Sequence, residues 1–413
     1  MTLYQHPGKV TPSNNNAFFI VQDNHYLDPG YKYYFQVILG DITNPIIYTA
    51  SSYPKPYADA PGILGHAAFD LSPILKDYLT ASYKPNIIVP TIADSNEIVK
   101  YNVNYAGGTD PLSLSFDTYT GIAWNGCVDW FSAQELDPWV QFHLPNISSP
   151  GYYLNIKNYN REITLDDYST LSFFRTDETT TVTAMVVTLD DGSTFIKYFN
   201  TLETDEWINH IGVGPLNLNA TTWDVVGTPS HSINSTTKSY TVDLYCPDGD
   251  HPIGHKLFQT VTYRIICTKF NKYRVDFQAQ GGGFNSLLFY GKHYKTLINK
   301  KELFNKRLPY NYTNIDIGMS VYKNESSNTY ILNTDWMTQD KVDEVEELLS
   351  SPRIYIQDNT MNLEAIHSLG YMGKIMPVYI DSYKDTINYV KQDKLVQMQI
   401  EFISANNKNN INL

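Results

Sequence analysis

The sequence predicts a mainly β protein: several domains built as antiparallel β-sandwich or barrel-like modules, ending in a helix packed on a small sheet. Three observations lead there. Most apolar segments alternate with a period of two, turn residues punctuate them, and helical periodicity is scarce.

The first strand is the clearest. In "YKYYFQVIL" the residues Tyr31, Tyr33, Phe35, Val37 and Leu39 share one face, and Asp28-Pro29-Gly30 marks the reversal before them. A short helix is expected over Asp70 to Thr80, with Pro73 in its first turn, where the missing N–H costs nothing. Farther on, Asp191-Gly192 lies between "TVTAMVVTLD" and "STFIKYF", an order that favours a two-residue type I′ hairpin. "TVTYRIICTKF" places Val261, Tyr263, Ile265 and Cys267 on one face, and Phe270-Asn271-Lys272 turns the chain. "YRVDFQAQ" then sets Tyr273, Val275, Phe277 and Ala279 against Arg274, Asp276, Gln278 and Gln280, the pattern of a half-buried strand.

The C-terminal part reads differently. Thr338 is a candidate N-cap, and Val342, Val345, Leu348 and Leu349 form an apolar stripe that Pro352 ends. "RIYI", "PVYI" and "VQMQIEF" follow as strands. Compositional breaks at Leu144–Tyr153 and after Tyr294 divide the chain into an N-terminal β module (1–143), a central antiparallel β domain (144–294) and a C-terminal α+β domain (295–413). The stretch after Tyr294, with Lys295, Lys300, Lys301, Lys306 and Arg307, reads as a solvated connection.

Composition restricts the function classes. The 413 residues hold 33 Tyr, 18 Phe and 6 Trp, enough aromatic surface for extensive contacts, while only 18% are charged. A formal net charge of −13 disfavours a protein that grips nucleic acid by neutralising phosphates. Three cysteines, Cys127, Cys246 and Cys267, do not make a disulfide framework. The N-terminus has no export signal pattern and no run approaches a membrane span, so a soluble protein made in a cytosol is expected.

Three stretches are candidates for chemistry. In "QGGGFNSLLFYGKHY" the glycines Gly281, Gly282 and Gly283 raise the prospect of a phosphate loop, but a strand-like run follows where a helix is needed, and no Gly-x-x-x-x-Gly-Lys-[Ser/Thr] order exists. A turn with a close backbone approach is expected instead. Cys246, His251, His255 and Cys267 are candidate metal ligands, yet only the histidines are compactly spaced, so a polar hairpin loop with a buried cysteine is the preferred reading. Trp124, Trp130 and Trp139 with Asp129, Glu135 and Asp137 have the makeup of a sugar site, aromatic faces for stacking and carboxylates for acid–base work. Against that, tryptophans on strands are usually core residues. No catalytic, cofactor-binding or metal residue is assigned.

Taken together, "NNNAFFIVQD", "YKYYFQVILG", "GHAAFDLSPILKDYL", "RVDFQAQGGGFNSLLFYGKHYKTLINKKELFNK" and "LLSSPRIYI" through "KLVQMQIEF" resemble virion tail proteins of phages that infect Bacteroidetes, including crAss-like phages. The resemblance implies a non-enzymatic structural subunit of the tail hub, neck or baseplate. It would be assembled as a homo-oligomeric ring, in contact with other tail or neck proteins, with genomic DNA passing through unbound. The alternative expectation is a carbohydrate-binding or glycan-depolymerising tail protein using the Trp124–Trp139 region. Absence of a β-solenoid repeat favours the first.

Overall fold

The computed structural model describes residues 1–8, 10–40, 45–55, 65–85, 87, 91–92, 96–127, 153–174, 184–199, 208–226, 232–248, 251–269, 271–305, 307–308, 310–313, 318–358, 375–381, 388–390 and 395–405. Over these the chain is mainly β and its ladders are chiefly antiparallel, while the short strand Val10–Pro12 runs parallel to the strand Asp117–Trp124. It divides into two compact units: Met1–Arg161 with Leu165–Ile265 and Ala279–Phe284, and Glu162–Thr164 with Ile266–Gln278 and Asn285–Leu413. Residues 144–152, where a compositional break was expected, lie outside the described residues.

The first unit opens with β1 (Thr2–Gln5), β2 (Val10–Pro12), β3 (Phe18–Gln22), β4 (Lys32–Leu39), β5 (Ile46–Ser52) and β6 (His66–Asp70). Helix α1 (Ser72–Tyr78), β7 (Thr91–Ile92), β8 (Ile98–Gly108) and β9 (Asp117–Trp124) follow. A five-stranded sheet in the order β2-β9-β8-β4-β5 and a three-stranded sheet β1-β3-β6 share one core. The alternation in β4 puts Tyr33, Phe35, Val37 and Leu39 into it, against Phe19 and Val21 of β3 and Tyr101 and Val103 of β8. Leu75 of α1 closes the same core. The helix begins where expected: Asp70 Oδ1 accepts from Ser72 N–H (3.0 Å) and Ser72 Oγ (2.5 Å), and Pro73 stands in the first turn.

The unit continues with β10 (Asn160–Ile163), β11 (Thr170–Phe174), β12 (Ala184–Leu189), β13 (Thr194–Tyr198), β14 (Ile208–Gly212), α2 (Pro215–Asn219), β15 (Val225–Val226), β16 (Ser239–Asp248), β17 (His251–Lys256) and β18 (Val261–Ile265). A seven-stranded sheet runs β10-β18-β16-β12-β13-β15 with β17 paired to β16, and a small one runs β11-β14-β7. The β12–β13 hairpin exists, but its turn is one residue longer than expected. Leu189 N–H bonds to Ser193 O, so Asp190, Asp191 and Gly192 form a three-residue connection with Gly192 at φ 82°, the left-handed position such turns require.

The second unit contains β19 (Tyr273–Gln278), β20 (Phe284–Phe289), β21 (Tyr294–Asn305), β22 (Met319–Asn333), α3 (Gln339–Ser350), β23 (Ile354–Asp358), β24 (Ile375–Tyr379), β25 (Asn388–Val390), β26 (Leu395–Gln397) and β27 (Gln399–Ser404). Its sheet is seven strands wide, larger than expected, in the order β20-β19-β23-β24-β27-β22-β21. Val342, Val345 and Leu348 of α3 pack into one core with Val275, Ile356, Ile400 and Phe402 of the sheet, as the stripe predicts. Thr338 occupies the N-cap position in extended conformation, yet its side chain makes no capping bond.

Two further expectations need correction. The polar face of β19 is not exposed: Arg274 and Asp276 are buried, joined Nε to Oδ1 at 2.8 Å, with Gln357 Nε2 donating to Asp276 Oδ2 (2.7 Å) and Arg274 Nη2 to Ser286 Oγ (2.9 Å). Mutual satisfaction is what lets four polar groups leave water. The Lys-rich connection after Tyr294 is no loop but the long hairpin β21–β22.

Candidate functional site

The triple glycine is a packing device. Gly282 and Gly283 have φ of 113° and 73°, and the turn closes on itself through Gly282 N–H to Ala279 O (3.1 Å) and Ala279 N–H to Gly283 O (3.0 Å). A Cβ on Gly283 would strike Ser172 Oγ, and one on Gly281 would strike the Leu154 carbonyl. Only glycine permits both the backbone angles and the approach. The carbonyls of this segment hold neighbouring strands: Trp124 Nε1 donates to Gly281 O (2.9 Å), and Asn155 Nδ2 donates to Phe284 O (2.6 Å).

That geometry makes Trp124 the core residue that tryptophans on strands usually are, and not a sugar platform. Its indole is fully buried, edge-on to Phe174 at 5.0 Å, with its N–H already committed. A ring with no free face cannot stack on a sugar. The other members of that group, Asp129, Trp130, Glu135, Asp137 and Trp139, lie outside the described residues. Cys246 and His255 are backbone partners across β16–β17, and so are Asp248 and His251. Cys267, expected on an inward strand face, sits past the end of β18 and is exposed. Among the described residues no group of three or more His, Cys, Asp or Glu side chains is placed to hold a metal ion.

A third arrangement was invisible in the sequence. Ser172 Oγ lies 2.8 Å from His210 Nδ1, and His210 Nε2 lies 2.8 Å from Glu97 Oε2. Ser172 and His210 are directly opposite in the β11–β14 ladder, and Glu97 stands at the start of β8, its other oxygen accepting from Ser82 N–H (2.5 Å). A carboxylate can only accept, so Nε2 carries the proton and, in the neutral ring, Nδ1 accepts from the serine hydroxyl. The connectivity is that of a serine–histidine–acid relay. Its details differ from a catalytic one: the ring is reversed, with Nδ1 rather than Nε2 toward serine, and Ser172 is 0% exposed. No substrate carbonyl reaches Ser172 Oγ while β11 and β14 stay paired. The chain of bonds therefore ties β8, β11 and β14 together. No short motif could have announced it, because Glu97 and Ser172 meet the same histidine from distant parts of the chain.

The hairpin β21–β22 is the other distinctive feature. Its register runs from Tyr294↔Ile331 to Asn305↔Met319, but β27 pairs with β22 only from Thr329 to Asn333. Beyond Thr329, toward Met319, β22 pairs among the described residues with β21 alone, so the two strands continue as a two-stranded arm. Every residue of β21 is exposed, and Leu303, Phe304, Leu308, Tyr310, Met319 and Tyr322 offer large apolar side chains to solvent near the tip. Cross-strand charges are matched along the arm: Lys300 opposes Glu325 and Glu302 opposes Lys323, with Lys323 Nζ 2.7 Å from Glu325 Oε1. The neighbouring lysine lowers the Glu325 pKa and the glutamate raises that of Lys323, first through their hydrogen bond.

No protein-family model matches the sequence, and no curated protein matches it. Among solved structures, a point mutant of Salmonella alpha-2-macroglobulin aligns with all of this chain and 31% of its own length, at 8% identity and a TM-score of 0.18. This chain thus spans under a third of that protein, and a likeness at that level carries no argument. No helix among the described residues is long and apolar enough to cross a membrane.

Proposed function

We propose that this chain is a structural subunit of a tailed-phage virion, closing with copies of itself into a ring in the tail hub, neck or baseplate and joining other tail proteins around the DNA channel. The observation that supports it most is the β21–β22 arm. A two-stranded ribbon with apolar side chains on both faces is marginal in water and gains its stability in an assembly. The mainly β modules agree with the reading, and so does the net charge of −13, which lets duplex DNA pass without adhering. The subunit has no catalytic role in this account. The Ser172–His210–Glu97 chain holds strands together, and Trp124 serves the core. Electron microscopy of the concentrated full-length protein tests it. Closed rings are the expected result; an unassembled protein that binds or cleaves host glycans would replace the reading with a glycan-directed one.

A further inference from the structure

We infer that the occupant of the β21–β22 arm is a second copy of this chain, which receives it along β5, the open edge of the five-stranded sheet. The inference rests on the ring reading above and names its contact. Both strands stand at the end of a sheet among the described residues, β21 in one and β5 in another. Strand β5 shows the same anomaly as the arm. It pairs with β4 over its full length, yet Ile46, Ile47 and Tyr48 are exposed, and it holds no charged residue. Uncharged, apolar edges invite strand addition; natural edges are normally blunted by charge or proline.

Charge argues against an arm pairing with another arm. Residues 294–333 contain six Lys or Arg against three Asp or Glu, within a chain of net charge −13, so the remainder of every copy is acidic and attracts the arm. Arm-to-arm pairing is disfavoured, because an antiparallel pair of β21 strands would bring Lys300 and Lys301 of both copies together at its centre. Arm on β5 avoids this, since β5 is neutral. Donor and acceptor are then different surfaces of one chain, a heterologous contact that repeats from copy to copy and closes as a ring.

The test is complementation in full-length protein, read by sedimentation. One variant carries L303S and F304S in the arm; the other carries I46K and I47K in β5. All four side chains are exposed, and Y310S, at a side chain in full solvent, supplies a second arm variant. Each variant alone is expected to self-associate at least tenfold more weakly than wild type. An equimolar mixture of arm and edge variants is expected to form dimers and nothing larger, because one intact contact remains. A wild-type oligomer that neither variant weakens would refute the arm–edge contact and leave the ring reading intact. Weakening without rescue in the mixture would also refute it. A wild-type chain monomeric at all concentrations, or an arm that binds duplex DNA without self-association, would overturn both.

Discussion

Glycines 192 and 283 separate two costs that a left-handed residue can carry. Gly192 is at φ 82° with open space around it, so Gly192→Ala should lose about 1 kcal/mol, the backbone term alone. Gly283 is at φ 73° with Ser172 Oγ where a Cβ would go, so Gly283→Ala should lose about 3 kcal/mol or more, backbone strain plus overpacking. Urea unfolding of the two variants checks the difference; equal losses would mean the close approach is not real. A second residue-scale prediction concerns pH. Burial, with Asp23 nearby, pushes the Tyr33 hydroxyl up to about 12, while it donates to Gly65 O at 2.7 Å. Its folded pKa lies above the unfolded value of about 10, so the neutral form stabilises the fold fully below pH 10, and that contribution is lost as pH rises toward 12. Tyr101 is pushed up too, by burial first. The tyrosinate absorbance that Tyr33→Phe removes should therefore appear together with loss of β signal in this window. Ionisation of that hydroxyl well before unfolding would contradict it.

Within elements, the Arg274–Asp276–Gln357 cluster decides how β19 sits between β20 and β23. Asp276→Ala should destabilise by about 3–5 kcal/mol, because it strands a buried guanidinium. Thermal unfolding measures this, and a loss under 1 kcal/mol would mean the cluster is hydrated. The same element shows how far sequence reading reaches. Strand β19 was legible from Tyr273, Val275 and Phe277, but its second face looked solvent-bound because Arg274 and Asp276 hide their partnership in tertiary structure. Strands β4 and β27 and helix α3 were legible because each has one buried face, which imposes a period. The β21–β22 arm was not, since a strand exposed on both faces has no reason to alternate. The glycine turn was foreseen as a close approach, though its neighbours Trp124 and Ser172 were not. The relay at His210 left no signal because its members meet only through strand register.

At the scale of the whole molecule, the proposed assembly draws on two compact units, an aromatic-rich chain and a long exposed ribbon. Electrostatics gives this a consequence. In the proposed ring the basic arm and acidic body would attract across copies, so self-association should weaken as salt rises through the screening range, with the apolar part of the contact persisting. The central claim, that the chain is a ring-forming structural subunit, meets its most direct test in the native mass of the intact assembly. A single species at an integer multiple of 47.2 kDa, three copies or more and unaltered by host glycans, is the expected result. A persistent 47.2 kDa monomer that binds or cleaves those glycans would contradict it.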